Sequence, residues 1–257
     1  MQKTMKYLLI LISFVMFCAQ PAHAAKKTKN KHEKVLLAKA KKWDIDISQE
    51  FDRNRHNTIK GKAVTGDKLT KELERFFDCL EYLPENFVRR SGINKVVILE
   101  DLTHNDVRAG GIATGNLMIL KYGFNKHTFF HELFHIFDDT ANTNTQWCRL
   151  NPKGFIYKGS EFRDADLTKR QAKKVEKDSW LNKMMPHFVG EYAMSFEQED
   201  RAEVFAAMIV EGRDFKRRTT RSTVMKKKME FIIDMTDSKS LLGRDFWKKR
   251  LKGIPLE

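Results

Sequence analysis

The chain has 257 residues, enough for one large domain or two small ones with a substantial hydrophobic core. Its 48 Lys and Arg outnumber 34 Asp and Glu, and the net charge of +14 at pH 7 favours anionic surroundings such as acidic polymers, envelope surfaces or acidic substrates. The lysines are scattered and no nucleic-acid-binding module is recognisable, so we expect no nucleic-acid partner.

The first 24 residues have the pattern of an export signal. Lys3 and Lys6 precede an apolar run over residues 7–17 that is too short to span a bilayer, and Ala22-His23-Ala24 forms a small-residue cleavage site. We therefore predict a signal peptide over residues 1–24 and a secreted or periplasmic protein, whose net charge is +12 once both lysines are removed. A retained membrane anchor is the alternative; after removal of the signal we expect no membrane-spanning segment.

The rest of the chain is predicted to form a basic flexible arm over residues 25–34 and a single domain over residues 35–257, which we expect to be monomeric. Two cysteines, Cys79 and Cys148, follow the signal. In an oxidising compartment they are enough for one disulfide, although the sequence leaves open whether they meet. The chain has no C-x-x-C pair, which argues against a zinc site built from thiolates.

Apolar periodicity and turn residues predict helices mixed with short strands. In chain order, the first predicted elements are an amphipathic helix over 67–80, a buried strand over 96–99, and a glycine-rich stretch that leads into a strand over 110–120. A buried helix over 128–137, a surface loop over 140–151 and a charged helix over 167–185 follow. The last elements are a buried helix over 196–211, capped by Ser195, and two amphipathic helices in the Lys- and Arg-rich segment after it. The glycine-rich strand is either an ordinary hairpin or a sheet edge that pairs with an extended ligand.

The helix predicted over 128–137 contains an H-E-x-x-H sequence. His131 and His135 are four residues apart, so their β-carbons lie about 5 to 6 Å apart on one face, and both can reach one tetrahedral metal with Glu132 beside it. The neighbouring residues are almost all apolar, and burying these polar side chains without partners would be costly. The pattern is typical of a zinc hydrolase, in which the two histidines hold Zn²⁺ and the glutamate is the general base.

A catalytic zinc site needs a third protein ligand. A metzincin would have Gly at position 138 and His at position 141, whereas this chain has Asp138 and Ala141, so that class is excluded. The helix over 196–211 offers a glutamate instead. Glu199 and Glu203 share one face of this largely apolar helix, and we predict that Glu199 is the third ligand and that Glu203 hydrogen-bonds a ligating imidazole.

Alternatives remain for these assignments. Glu197 is the other possible ligand, and a salt bridge to an arginine is the other possible role of Glu203. His127 lies one turn before His131 but two turns, about 12 Å of rise, before His135, so the three histidines cannot share one metal. We therefore expect His127 to be incidental.

Two motifs and one spacing give the chain a family resemblance. The sequence H-E-L-F-H-I-F-D-D from His131, the E-x-x-x-E pair at Glu199 and Glu203, and Tyr192 seven residues before Glu199 resemble the gluzincin catalytic domain of anthrax lethal factor and the small secreted Pro-Pro endopeptidases of the same clan. The resemblance covers residues 110–210. It implies that Glu199 is the third zinc ligand and that Tyr192 donates to the oxyanion. His187 is the rival donor, and a long insertion before Tyr192 departs from the family and leaves substrate preference open.

Together these patterns predict an α+β, zincin-like metallopeptidase domain in which a small mixed sheet with an edge strand packs on the active-site helix and on a second, glutamate-bearing helix. We expect an exported zinc endopeptidase with one Zn²⁺ per chain, acting on a protein or peptide substrate with Glu132 as general base. The residues expected to hold the extended substrate are Gly111, Ile112, Gly115, Asn116 and Leu117. The alternatives are a metal-dependent cell-wall amide hydrolase and a non-catalytic secreted binding protein with a structural or lapsed zinc site.

Overall fold

Helices make up most of the described chain. The computed structural model describes residues 20–138, 144–159, 183–238 and 241–253. The helices are α1 (Gln20–Lys42), α2 (Gly66–Leu80), α3 (Glu85–Arg90), α4 (Lys126–Asp138), α5 (Asn144–Cys148), α6 (Glu197–Val210), α7 (Arg213–Thr219), α8 (Thr223–Ser238) and α9 (Arg244–Lys252), with short 3₁₀ turns at Met185–His187 and Tyr192–Met194. The strands are β1 (Asp46–Ser48), β2 (Ile59–Lys60), β3 (Lys95–Leu99), β4 (Thr103–His104), β5 (Val107–Arg108), β6 (Gly111–Thr114) and β7 (Leu117–Lys121).

The strands form two small sheets. In the larger one, the order is β1-β3-β7-β6; β1, β3 and β7 run parallel, and β6 pairs antiparallel with β7 as the terminal strand. In the smaller one, β2, β4 and β5 are antiparallel. The unbroken apolar sequence of β3 fits its inner position, where both faces of a strand are covered. The sheet therefore ends in the short β6, directly beside α4.

Helices α4 and α6 pack against each other in the core. On α4, every residue from Phe129 to Phe134 is buried. The ring of Phe134 lies 4.8 Å from that of Phe205 on α6, and Phe205 in turn lies 5.9 Å from Trp247 on α9. Phe129 contacts Phe76 on α2, with ring centroids 5.5 Å apart. Burial of these aromatic rings fixes the two helices that carry the predicted histidines and glutamates.

The structure confirms the α+β class and most of the predicted elements. It also contains elements that were not predicted, namely α3, β1, β2, β4 and β5, and it differs from the predictions in further places. The predicted loop over 140–151 contains the short helix α5, which buries Trp147 completely. Ser195 does not cap α6: Phe196 is the N-cap residue, and the Ser195 hydroxyl donates to the carbonyl of Tyr192 instead. The basic remainder forms three helices rather than two. The charged helix predicted over 167–185 lies largely outside the described residues.

The N-terminal part of the described chain is helical. Residues 25–34, predicted as a flexible arm, belong to α1, which packs on α2. The division into signal peptide, arm and domain stays a prediction. In the part of the chain that the structure describes, no helix is both long enough and apolar enough to cross a membrane. Cys79 is buried, Cys148 is exposed, and both are free thiols, so they do not form the disulfide left open by the sequence.

Candidate metal centre

Two imidazole nitrogens and one carboxylate oxygen converge between α4 and α6. Nε2 of His131 lies 2.9 Å from Oε2 of Glu199, Nε2 of His135 lies 3.1 Å from the same oxygen, and the two Nε2 atoms are 3.0 Å apart. His131 and Glu199 are buried and His135 is partly buried. The fold thus brings together the three side chains predicted as ligands, from two helices far apart in the sequence.

These three atoms have the chemistry and spacing of a zinc site. Ligands bonded to one tetrahedral Zn²⁺ at about 2.1 Å lie about 3.4 Å from one another. The atoms of His131, His135 and Glu199 are within about half an ångström of that spacing. Two imidazole nitrogens facing each other at 3.0 Å need a shared proton or a cation between them. Three protein ligands also leave a fourth position for water or substrate, as catalytic zinc sites require.

The charges of the three side chains support one another. Burial alone would raise the pKa of Glu199, but hydrogen bonds with His131 and His135 outweigh burial and hold that pKa well below its usual range. Burial alone would lower the pKa of His131, but hydrogen bonds with Glu199 and Glu203 raise it to about 10. The pocket therefore favours positive charge at the point where the three side chains meet.

Glu203 lies one turn after Glu199 and contacts the opposite side of the His131 ring. Its Oε1 is 2.9 Å from Nδ1 of His131 and 3.0 Å from Nε2 of His127. Burial raises the pKa of a carboxyl, but the hydrogen bonds with His127 and His131 lower that of Glu203 to about 2. Its partners are histidines, not the arginine considered as the alternative. A carboxylate at the second nitrogen of a ligating histidine fixes the ring orientation. His127, expected to be incidental, belongs to this network.

Glu132 is buried beside the two histidines and faces the terminal strand β6. Burial raises the pKa of its carboxyl. The neighbouring imidazoles of His131 and His135 and the backbone of Ala113 act in the opposite direction and offset part of this increase. A carboxyl group with a raised pKa can accept and release a proton closer to neutral pH, which suits a general base that later acts as an acid.

The other predicted polar residues divide into those near the centre and those away from it. The ring of Tyr192 lies 5.6 Å from that of His131, in the 3₁₀ turn just before α6. His187, the rival oxyanion donor, hydrogen-bonds Ser222 at 2.9 Å instead. Glu197 is absent from the groups of described residues whose atoms are close enough to hold a metal ion. The geometry therefore favours Tyr192 over His187 and Glu199 over Glu197.

The predicted substrate-binding stretch forms a hairpin of β6 and β7. Of these two strands, only β6 lies at the edge of the sheet. Gly111 and Ile112 lie on β6, and Gly115 and Asn116 form the turn. Leu117 lies on β7, which pairs with β3 on one side and with β6 on the other, so its main chain cannot add a further strand. The main chain of Leu117 therefore has no free edge, and a substrate role for this residue stays a prediction. The available edge is limited to residues 111–114.

Alternation along β6 decides which main-chain groups reach that edge. The bond from the Lys121 nitrogen to the Gly110 carbonyl, 2.9 Å long, makes 110 and 121 a hydrogen-bonded pair. Because such pairs alternate with non-bonded pairs, Ile112 directs its main-chain groups towards β7, whereas Gly111 and Ala113 direct theirs outwards. Sequence reasoning missed Ala113, since the strand register was needed to identify it.

Two buried polar contacts that sequence reasoning also missed hold α6 in place. Arg201 donates through Nε to Oδ2 of Asp138 at 2.7 Å, joining α6 to the end of α4. Next to Glu199, the predicted third ligand, the carboxylate of Asp200 pairs with the buried Nζ of Lys228 on α8 at 2.6 Å. The available signal was the presence of charged residues inside an otherwise apolar helix, because such residues need counter-charges.

Comparison with known proteins gives a fold-level likeness. No known sequence family and no curated protein matches the chain. A solved structure of a proposed zinc-binding metallo-peptidase from Bacteroides caccae matches 88% of this chain and 92% of its own chain, with a TM-score of 0.56 and 15% sequence identity. The fold is zinc-metallopeptidase-like. A domain of this fold therefore carries the converging histidines and glutamate on its two central helices.

Proposed function

We propose that this protein is an exported zinc-dependent endopeptidase of the gluzincin type. The observation that carries the proposal is the convergence of His131, His135 and Glu199 on one point, with Glu132 buried beside them. A structural zinc site is closed by four protein ligands and has no use for a neighbouring base. The fold shared with a structure described as a proposed zinc-binding metallo-peptidase supports the same reaction class.

Each side chain of the site has a separate role in peptide hydrolysis. When bound, zinc would polarise the scissile carbonyl and lower the pKa of a coordinated water. Glu132 accepts the proton of the attacking water and passes it to the leaving amine. Tyr192 donates its hydroxyl to the oxygen on which negative charge develops, a role supported by its position beside His131. Glu203 fixes the ring of His131 from behind.

The finer features of the proposal come from the sequence. The H-E-x-x-H motif, the pair Glu199 and Glu203, and Tyr192 support kinship with the catalytic domain of lethal factor and the Pro-Pro endopeptidases. The signal-peptide pattern over residues 1–24 supports action outside the cytoplasm. The net charge of the chain, +14 in full and +12 without Lys3 and Lys6 of the predicted signal, favours protein or peptide substrates of acidic character, which would lie extended along β6.

Matched glutamate variants test the assignment. We expect Glu132→Gln to bind one zinc per chain and to cleave peptides at a rate about 10² to 10⁴ times lower than the wild type, because the base is lost and the ligands are kept. Glu199→Gln should lose zinc, and Glu197→Gln, on the same helix turn, should keep both zinc and activity. Zinc content by mass spectrometry and cleavage of a peptide library measure these effects. A Glu132→Gln variant as active as the wild type would refute the proposal.

The same assay separates the peptidase from the amide hydrolase. The wild type and Glu132→Gln are incubated in parallel with the peptide library and with purified peptidoglycan. Cleavage of peptides that depends on Glu132 supports the endopeptidase. Release of wall fragments that depends on Glu132, with no peptide cleaved, would instead establish a cell-wall amide hydrolase built on the same ligands.

A further inference from the structure

Glu132 has little room on the side that faces the sheet. A β-carbon built on Gly111 would lie 2.5 Å from Cγ of Glu132, 2.9 Å from Cδ and 2.8 Å from Oε1. Real β-carbons essentially never approach other heavy atoms closer than 3.0 Å. The atoms in conflict belong to the stem as well as the tip of the side chain, so rotating the carboxylate alone does not relieve the contact.

The conformation of Gly111 does not itself require glycine. Its φ angle lies outside the positive range that L-residues avoid, unlike that of Gly115 in the following turn, where φ is +54°. The absent side chain at position 111 therefore has a steric purpose, and the neighbour it makes room for is Glu132.

The strand also presents main-chain groups to the carboxylate. The main-chain groups of Ala113 point away from β7, and the Ala113 backbone lies near enough to the Glu132 carboxylate to favour its charged form and lower its pKa. Residues 111 and 113 lie on the same face of β6 because side chains alternate along a strand. Gly111 thus leaves space on one face of the edge strand, and the Ala113 main chain at its free edge provides the polar contact, for a single buried carboxylate.

We propose that Gly111 and Ala113 form a seat for Glu132, in which the missing side chain of Gly111 is a positioning feature for the general base. A side chain at position 111 would push Glu132 away from its position beside the two histidines while leaving the proposed ligands His131, His135 and Glu199 in place. The catalytic consequence rests on the function proposed for Glu132, whereas the packing of Gly111 against Glu132 does not.

A pair of neighbouring glycines provides the test. Gly111→Ala introduces the conflict with Glu132, and Gly110→Ala is the matched control, since a β-carbon at Gly110 would meet Thr128 at an ordinary 3.4 Å. For Gly111→Ala we expect kcat for peptide cleavage to fall about 10- to 100-fold with KM and zinc content unchanged, because small displacements of a catalytic group have effects of that size. Gly110→Ala should retain wild-type kcat.

A double-mutant cycle of stability measurements tests the packing of Gly111 against Glu132 without reference to activity. The melting temperature is measured for the wild type, Gly111→Ala, Glu132→Ala and the double variant. We expect Gly111→Ala to lower the melting temperature in the wild-type background and to have little effect, or a stabilising one, when Glu132 is already Ala. Equal losses in both backgrounds, or an unchanged kcat in Gly111→Ala, would overturn the seat. If the wild type cleaves no peptide, the proposed function fails, and this cycle alone decides whether Gly111 accommodates Glu132.

Discussion

Replacing Lys228 with Met removes a buried positive charge that faces the helix of the proposed zinc ligand Glu199. The side chains of Lys228 and Asp200 are both fully buried, and Nζ lies 2.6 Å from Oδ2 of Asp200. The same oxygen accepts hydrogen bonds from Trp147 at 2.9 Å and from Tyr157 at 2.8 Å. In the variant, the Asp200 carboxylate keeps two neutral donors and loses its counter-charge.

The magnitude follows from this geometry. Removing one member of a buried ion pair costs about 3 to 5 kcal/mol of unfolding free energy, because the remaining charge stays desolvated. In a protein of this size, each kcal/mol shifts the melting temperature by about 2 to 4 °C. Lys228→Met should therefore melt about 6 to 20 °C below the wild type. Lys227→Met, at the exposed neighbouring position, should stay within about 0.5 kcal/mol.

The stability difference between Lys228→Met and the wild type should also depend on pH. Burial raises the pKa of Asp200 above its ordinary value, even with Lys228 present. A carboxyl whose pKa is raised by folding stabilises the protein below the pKa of the unfolded chain, and this contribution is lost as the pH rises through the folded pKa. Without Lys228 the folded pKa rises further. The deficit of Lys228→Met should therefore be larger at neutral pH than in mild acid.

Urea unfolding monitored by circular dichroism measures these differences. Adding Asp200→Asn to Lys228→Met should recover part of the loss, because the amide oxygen still accepts from Trp147 and Tyr157 but carries no charge. The reasoning is wrong if Lys228→Met unfolds like Lys227→Met, or if the loss from Asp200→Asn simply adds to that from Lys228→Met.

Three further predictions concern the metal centre and the thiols. Glu203→Gln should weaken zinc binding about 10- to 100-fold in competition with a chelator, since it loosens the ring of His131, and unchanged affinity would contradict the orienting role. The zinc-free protein should lose stability as the pH rises from the ordinary histidine pKa of 6.5 towards 10, because the fold raises the pKa of His131 to about 10 and favours its protonated form. A melting temperature that rises over this pH range would contradict this prediction. Cys148 should react with a thiol reagent in the folded protein, whereas Cys79 should react only on unfolding, because Cys79 is buried and its pKa is raised to about 12. Rapid labelling of both cysteines would show that the packing around α2 is wrong.

The sequence predicted those parts of the site that depend on spacing within one helix. The four-residue separation of His131 and His135 places both imidazoles on one face, and the same spacing aligns Glu199 with Glu203. Apolar neighbours marked both helices as buried, and the structure packs them together through Phe134 and Phe205. Local periodicity was therefore sufficient to place four side chains before any tertiary contact was known.

Features that depend on contacts between distant segments were not predictable in this way. The role of Ala113 depends on which residues of β6 pair with β7, and a shift of one residue would reverse it. Trp147 lies in a polar stretch typical of a surface loop, yet it is buried against Phe231, and the distant carboxylate of Asp200 accepts its ring N–H. His127 was expected to be incidental because it lies too far from His135 to share a metal with it. In the described residues, however, His127, His131 and Glu203 form a second group close enough to hold a metal ion, and the contact of His127 with Glu203 depends on how α6 crosses α4.

Zinc-edge anomalous diffraction from crystals of the full chain grown with zinc is the most direct test of the metal centre. The proposal predicts one strong anomalous peak per chain, bonded at about 2.0 to 2.2 Å to Nε2 of His131, Nε2 of His135 and the carboxylate of Glu199. A peak held by His127 and Glu203, or by residues outside α4 and α6, would contradict it.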